Sequence, residues 1–569
     1  MIKEDNISRD SFVKGAFVLG LAGVIVRLIG GFFRIPLGNI LGLDAMGYYS
    51  AAYPVYTLFV VLSTAGLPTA IAKLIAEYRA LGEQRNINSA FKAGLVLMSA
   101  IGLFGFLVVW FGADWIVTWI NNPGAKLSLL ALAPGILIVS IMAVFRGYFQ
   151  GYQAMTPFAL SQVVEQIGRV VVGYALAILF LKISSEAAAA GATFGATAGA
   201  AVGLALILLF YSRFVRRGAG VVAHAAGGKV FLKARNLGGD NIASSLSTMK
   251  RNVASGRALT RSEIVRKILV IAVPITLGAA ILPLINIVDV AQIMNLLTRI
   301  GFSEQNANEL FAMYSSYALT IINLPQALTM AIQISVVPAV AAYVAIKAKA
   351  ELASLINNAL RITFILALPA AAGIMLLATP IIHLMYPARA DVAPTIGALL
   401  VWLGPSVIFL GLFQATTGIL QGMNRPMIPA VNMLISVVCK VMLNHFLIQI
   451  PSLNIYGAAI STTIAYIVAF LLNYAMMHRN LGFRLDIKAL LVKPLISVIA
   501  MSVVVWISQL VFGLFLGRIA TILSVTAGVV VYLFMLFFTK TLSDEDYAMI
   551  PGGRKLQKLE RKLFRRGTK

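Results

Sequence analysis

The segment VRLIGGFFRIPLG, residues 26–38, is apolar apart from two arginines, Arg27 and Arg34. They are seven residues apart, which is two helical turns, so both side chains leave one face of a helix. A guanidinium stays charged and presents a planar fork of N–H donors that fits phosphate and carboxylate oxygens. On a lipid-facing surface such a charge is costly, whereas a face on a wet cavity avoids the cost. A long side chain near a helix end can instead snorkel to the membrane interface, and that alternative stays open for Arg34.

Other side chains with chemistry sit in equally apolar surroundings. Lys73 is four residues before Glu77 and Glu165 four before Arg169, so each reads as an i,i+4 ion pair, with Lys73 also kept as a cavity candidate. Arg146 and Arg361 lie near helix ends, where anchoring at the interface competes with a cavity role; Arg146 is kept as a cavity candidate. Thr320, Asn323, Gln326, Thr329 and Gln333 recur every three or four residues, which gives one helix a polar side suited to sugar or peptide groups. Helix–helix hydrogen bonding accounts for one or two such residues better than for five. Asn286 and Asp289, three apart, are candidates for a charge relay or for cation or proton binding, with an interface position as the alternative. No metal-ligand cluster or nucleophile constellation stands out, so neither an enzyme nor a cofactor is expected. The single cysteine, Cys439, has no internal partner for a disulfide.

The elements that must position these residues are membrane spans. The chain has 569 residues, 60% of them hydrophobic and only 12% charged, about half the charge of a soluble domain. Runs of roughly 20 apolar residues suffice to cross a bilayer, and about 14 are present. They include 15–38, 50–78, 158–181, 265–290, 311–343, 491–511 and 518–539. Prolines 54, 68, 274, 283, 325 and 338 are expected to break several of them. An all-α polytopic membrane protein follows.

The net charge of +25 is unevenly placed. Basic residues gather in RALGEQRN, in 214–264, in HRNLGFRLDIK and in the tail GGRKLQKLERKLFRRGTK, whereas INNPGAK, LKISSE and IQIPSLNIYG are nearly bare. Lys and Arg concentrate in cytoplasmic loops, so the pattern predicts a multi-pass cell-membrane protein with both termini cytoplasmic. It also explains the charge without nucleic acid. The tail can add attraction to anionic membrane lipids.

The spans repeat. GATFGATAGAAVG at Gly191 matches GAAISTTIAYIVAF at Gly457, and GYFQGYQAMTP at Gly147 matches GILQGMNRPMIP at Gly418. YYSAAY (48–53) echoes MYSSYA (313–318), and LPTAIAKLIAEY (67–78) echoes VPAVAAYVAIKA (337–348). Two six-helix lobes related by a parallel repeat are expected, with two further C-terminal helices, an organisation typical of secondary transporters. The expected boundaries are an N-lobe 1–213, a basic linker 214–264, a C-lobe 265–480, a helix pair 481–540 and a basic tail 541–569.

The opening FVKGAFVLGLAGVIVRLIGGFFRIPLGNILGLDAMGYYSAAYP, with STAGLPTAIAKLIAEY and FRGYFQGYQAMTP, resembles the polysaccharide-transporter branch of the multidrug/oligosaccharidyl-lipid/polysaccharide exporter superfamily. That branch holds the stage V sporulation protein B and lipid II flippase types. The resemblance implies a central cavity lined by spans 1, 2, 7 and 8 and flipping of an undecaprenyl-pyrophosphate-linked saccharide, lipid II foremost. It implies a lipid-tail groove on the last two spans and partnership with cell-wall synthesis proteins. It assigns Arg27 and Arg34 to the pyrophosphate. Another lipid-linked glycan and a cation-coupled drug exporter are the alternatives. Span 1 offers two arginines and no acid, which favours an anionic substrate over a cationic drug.

Overall fold

The computed structural model describes residues 29–216, 260–481, 492–539 and 541, and positions 23 and 26 upstream of them. Among the described residues there is no strand. Among the described residues thirteen helices are long and apolar enough to cross a membrane. They fall on the expected spans 2–14; span 1 is described as the helix α1 over residues 29–40. The following helices are α2 (Leu43–Thr64), α3 (Leu67–Ala80), α4 (Gln84–Trp119), α5 (Lys126–Gly151), α6 (Met155–Phe180), α7 (Ser185–Arg216) and α8 (Arg261–Arg299). Then come α9 (Glu304–Ala312), α10 (Leu319–Ile322), α11 (Gln326–Ala345), α12 (Lys349–Leu376), α13 (Ala378–Met385), α14 (Ala393–Gly422), α15 (Met427–Leu447), α16 (Ile455–Leu481), α17 (Lys493–Leu516) and α18 (Arg518–Phe538).

The chain forms two compact units. The first takes the described residues through Phe33 and Asp44–Ala291; the second takes Arg34–Leu43 and everything from Gln292. The division therefore falls within α8 and not in the 214–264 segment, most of which lies outside the described residues. Packing gives the reason. Ile264, Ile268 and Ala272 of α8 are buried in the core of the first unit with Ile71, Ile75 and Tyr78 of α3 and Tyr148 of α5. Gly66 makes this fit possible: a Cβ there would lie 2.1 Å from the Ala272 carbonyl oxygen.

The sequence repeat is a packing repeat. In the first unit α3 packs on α4 and α5, α4 on α5, α5 on α7, and α6 on α7. In the second, α11 packs on α12 and α14, α12 on α14, α14 on α16, and α15 on α16, the same scheme in the same order. Matched glycines make matched close approaches. A Cβ at Gly147 of α5 would meet the Pro68 carbonyl at 2.8 Å, and one at Gly418 of α14 the Gln333 carbonyl at 2.6 Å. Gln153 after α5 and Asn424 after α14 occupy matched positions with φ of 59° and 61°, so the repeat reaches the left-handed turn residues. Helices α17 and α18 pack on each other and on α12, and Tyr532 donates to the Ile365 carbonyl at 2.7 Å.

Two expectations about breaks need correcting. Pro54, Pro274, Pro283 and Pro338 sit inside continuous helices. In a membrane protein neighbouring helices can satisfy the freed carbonyls. Pro68 instead opens α3, and Pro325 precedes α11. Span 311–343 is accordingly not one helix. It runs through α9, a π turn at Met313–Ala318, the short α10 and a turn at 323–325 before α11. Pro325 lacks an N–H and restricts the residue before it, which accounts for the turn.

Candidate functional site

The first unit holds a charged cluster inside its membrane-spanning helices. Glu165 of α6 is 12% exposed at its side chain and accepts from two arginines. Arg146 of α5 donates from Nη2 to Glu165 Oε2 at 2.9 Å and from Nε to Ser161 Oγ at 3.0 Å. Arg169 donates from Nη2 to Glu165 Oε1 at 3.3 Å and from Nη1 to the Tyr53 hydroxyl at 2.8 Å. Arg146 also lies over the Phe158 ring, 5.6 Å from its centroid. One carboxylate thus serves two guanidiniums, and the cluster carries one net positive charge.

Local sequence explains the arrangement. The turn at 152–154 folds α5 and α6 into an antiparallel hairpin, so Arg146 and Ser161, nearly equidistant from it, meet at one level. On α6, Glu165, Gln166, Gly173 and Ala177 are buried, while Ile167, Val171 and Ile178 on the other side are exposed. The charges are therefore turned away from the lipid side. Gly191, Gly195, Gly199 and Gly203 of α7, four residues apart, bring its backbone against α6. A Cβ at Gly199 would lie 2.3 Å from the Glu165 carbonyl oxygen and 2.7 Å from the Arg169 nitrogen. Tyr53 stands in a row of tyrosines on α2, with ring centroids 5.4 Å from Tyr49 and 5.7 Å from Tyr56.

The remaining sequence candidates are placed as follows. Arg27 lies outside the described residues. Arg34 is half-buried on α1 and belongs to the second unit. One turn further along, the end of α1 is clamped. Asn39 donates to the Met385 carbonyl at 2.8 Å and accepts from the Ala388 N–H at 3.2 Å. Tyr317 donates to the Gly38 carbonyl at 2.9 Å, and Arg389 donates to the carbonyls of Gly38 and Leu41. Lys73 and Glu77 are both exposed, and no ion pair joins them, so that expected i,i+4 pair is not formed. Glu165 and Arg169 do form theirs.

The polar series around Pro325 divides. Thr320 is buried and donates to the Ser316 carbonyl, and Thr329 is buried and donates to Gln414 Oε1 at 2.6 Å. Asn323 is exposed at the turn, and Gln326 and Gln333 are half-buried on α11. The five residues do not share one continuous helix: two make packing contacts and three amides are more open, with the break at 323–325 lying between Thr320 and Gln326. Asn286 is exposed and Asp289 half-buried on α8. Within the second unit Gln292 donates to the Val441 carbonyl at 2.7 Å and accepts from Asn444 at 3.2 Å, and Asn444 also accepts from Ser461. Asn473, fully buried, links Asn432 to Thr416 and Thr417. Among the described residues no group of three or more His, Cys, Asp or Glu is placed to hold a metal ion.

The profile of the family described as polysaccharide biosynthesis protein matches residues 12–344, and that of the MatE family matches 292–446. Lipid II flippase MurJ of Bacillus subtilis (strain 168) is 26% identical over 547 residues, 92% of this chain and 94% of that protein. Stage V sporulation protein B of the same organism is 25% identical over 484 residues, 85% of this chain and 86% of that protein. Among solved structures, lipid II flippase MurJ in an inward closed conformation superimposes with a TM-score of 0.61 at 14% identity, covering 92% of this chain and 99% of that one. An inward-facing multidrug resistance MATE transporter of the MOP superfamily gives 0.62 at 16% identity, covering 80% and 94%. The chain belongs to the polysaccharide biosynthesis protein family, with the all-helical fold that MurJ and the MATE transporters share.

Proposed function

We propose that the chain is a flippase that moves an undecaprenyl-pyrophosphate-linked saccharide, lipid II foremost, from the inner to the outer leaflet by alternating access. The observation that carries this reading is relationship along almost the whole length to lipid II flippase MurJ. The charge supports it: the buried ionisable cluster of the first unit has two arginines to one acid, the sign that suits an anionic headgroup. In this reading Arg27 and Arg34 neutralise the pyrophosphate, with Lys73 and Arg146 adding positive potential. Asn323, Gln326 and Gln333 meet the saccharide, Asn286 and Asp289 serve as a charge relay, and α17 and α18 guide the isoprenoid tail. Both termini lie on the cytoplasmic side in this reading. An inside-negative potential favours outward movement of the negative headgroup by about 2.3 kcal/mol per charge per 100 mV.

Relationship to stage V sporulation protein B favours a second reading, another lipid-linked glycan handled by the same chemistry. The MatE match over 292–446 would suit a drug exporter, but the cationic surplus opposes a cationic drug. Reconstitution of the purified chain in liposomes carrying labelled lipid II tests the proposal. Faster appearance of label in the outer leaflet than in protein-free vesicles, abolished by Arg27→Ala or Arg34→Ala, is expected. A wild-type rate equal to that of empty vesicles refutes it.

A further inference from the structure

We infer that Arg169 is an anion-binding residue for a phosphate oxyanion of the lipid-linked substrate, and that Glu165 is its built-in counter-ion, displaced from Arg169 when the phosphate arrives. The inference rests on the flippase reading, which uses only the net sign of the cluster and gives Arg169 and Glu165 no individual role. The whole cluster lies in the first unit.

Three observations carry it. The first is charge: Arg146 and Arg169 share one carboxylate, so a full positive charge is left over. Arg169 sits near the midpoint of α6, where an uncompensated charge is most costly in a membrane. The second is hydrogen bonding. Two guanidiniums carry ten N–H groups, and only four side-chain bonds are made. The Arg169 Nε–H is buried and has no partner. A buried donor left unmade loses its hydration without return, and a phosphate oxygen is the acceptor that restores it. The third is asymmetry. Glu165 holds Arg146 at 2.9 Å, backed by Ser161, but Arg169 at 3.3 Å, so Arg169 is the partner held less closely. Exchange of Glu165 for phosphate on Arg169 leaves Arg146 to keep Glu165 paired, and the site is never without a counter-charge. Glu165 also keeps the two guanidiniums, on α5 and α6, at one level before the ligand enters.

A structural brace and a displaceable counter-ion predict opposite signs for one variant. The test uses the full-length purified chain in nanodiscs and measures affinity for undecaprenyl pyrophosphate, with thermal stability read alongside. Arg169→Gln is expected to weaken binding at least about tenfold, the worth of one charged hydrogen bond. Glu165→Gln is expected to tighten it. The double variant Arg146→Gln/Glu165→Gln keeps the net charge at wild-type value, releases Arg169 and is also expected to bind more tightly than wild type; it serves if Glu165→Gln does not fold. Weaker binding in Glu165→Gln or the double variant, or unchanged binding in Arg169→Gln, overturns the inference while the flippase reading stands. No binding by wild type overturns both. Phosphatidylglycerol in place of the pyrophosphate lipid separates the two sources of phosphate: equal affinity with the same pattern among variants would make this a general headgroup site and overturn the assignment to substrate.

Discussion

Gly199→Ala is the sharpest test of how the charged cluster is held. The added methyl carbon would lie 2.3 Å from the Glu165 carbonyl oxygen, 2.7 Å from the Arg169 nitrogen and 3.1 Å from the Arg169 Cα. All three are backbone atoms, which cannot rotate away as a side chain would. Reaching ordinary contact requires α6 and α7 to part by about an ångström, enough to forfeit a quarter to a half of the dispersion energy of nearby pairs. Overpacking of this kind costs about 1–3 kcal/mol. Replacing glycine inside a helix returns about 1 kcal/mol. Backbone obstruction puts the cost at the upper end, so a net loss of roughly 2 kcal/mol is expected. The assay is thermal unfolding of purified protein in detergent, with Gly278→Ala of α8 as control. No atom lies within 4 Å of a Cβ at Gly278, so that variant is expected to match or exceed wild type. A Gly199→Ala melting point equal to wild type, or an equal fall in both variants, would refute backbone contact between α6 and α7.

Glu165→Leu leaves two arginines without their shared acid and is expected to cost about 3–5 kcal/mol, seen as loss of folded, monodisperse protein. Asn473→Ala leaves the buried Asn432 amide N–H without its acceptor and removes the bonds donated to Thr416 and Thr417; a loss of about 1–3 kcal/mol in thermal unfolding is expected, and no change would mean that the polar link is idle. Tyr532→Phe removes the bond to the Ile365 carbonyl and should cost about 1 kcal/mol, with no loss marking the contact as incidental.

Hydropathy alone places the helices of spans 2–14, because a bilayer demands long apolar runs whatever else they do. The repeat was legible because its glycines recur where helix backbones touch, as at Gly147 and Gly418. The four-residue spacing of Glu165 and Arg169 revealed their pair. Arg146, nineteen residues from Glu165, was findable only by folding α5 and α6 about the turn at 152–154. The glycines of α7 at 191, 195, 199 and 203 are a close-packing signal in the sequence, one every four residues. Tyr53, 116 residues from Arg169, and Arg389, 348 from Leu41, join their partners through tertiary packing that no local pattern encodes. The spacing around Pro325 implies one continuous face only while the helix continues, and here it stops at 323–325.

Growth rescue tests the central claim most directly. The wild-type chain is expressed in a Gram-positive strain depleted of its lipid II flippases, with membrane expression confirmed. The flippase reading predicts restored growth and cell-wall synthesis. Continued lysis despite a well-expressed, membrane-inserted protein would contradict lipid II as the substrate.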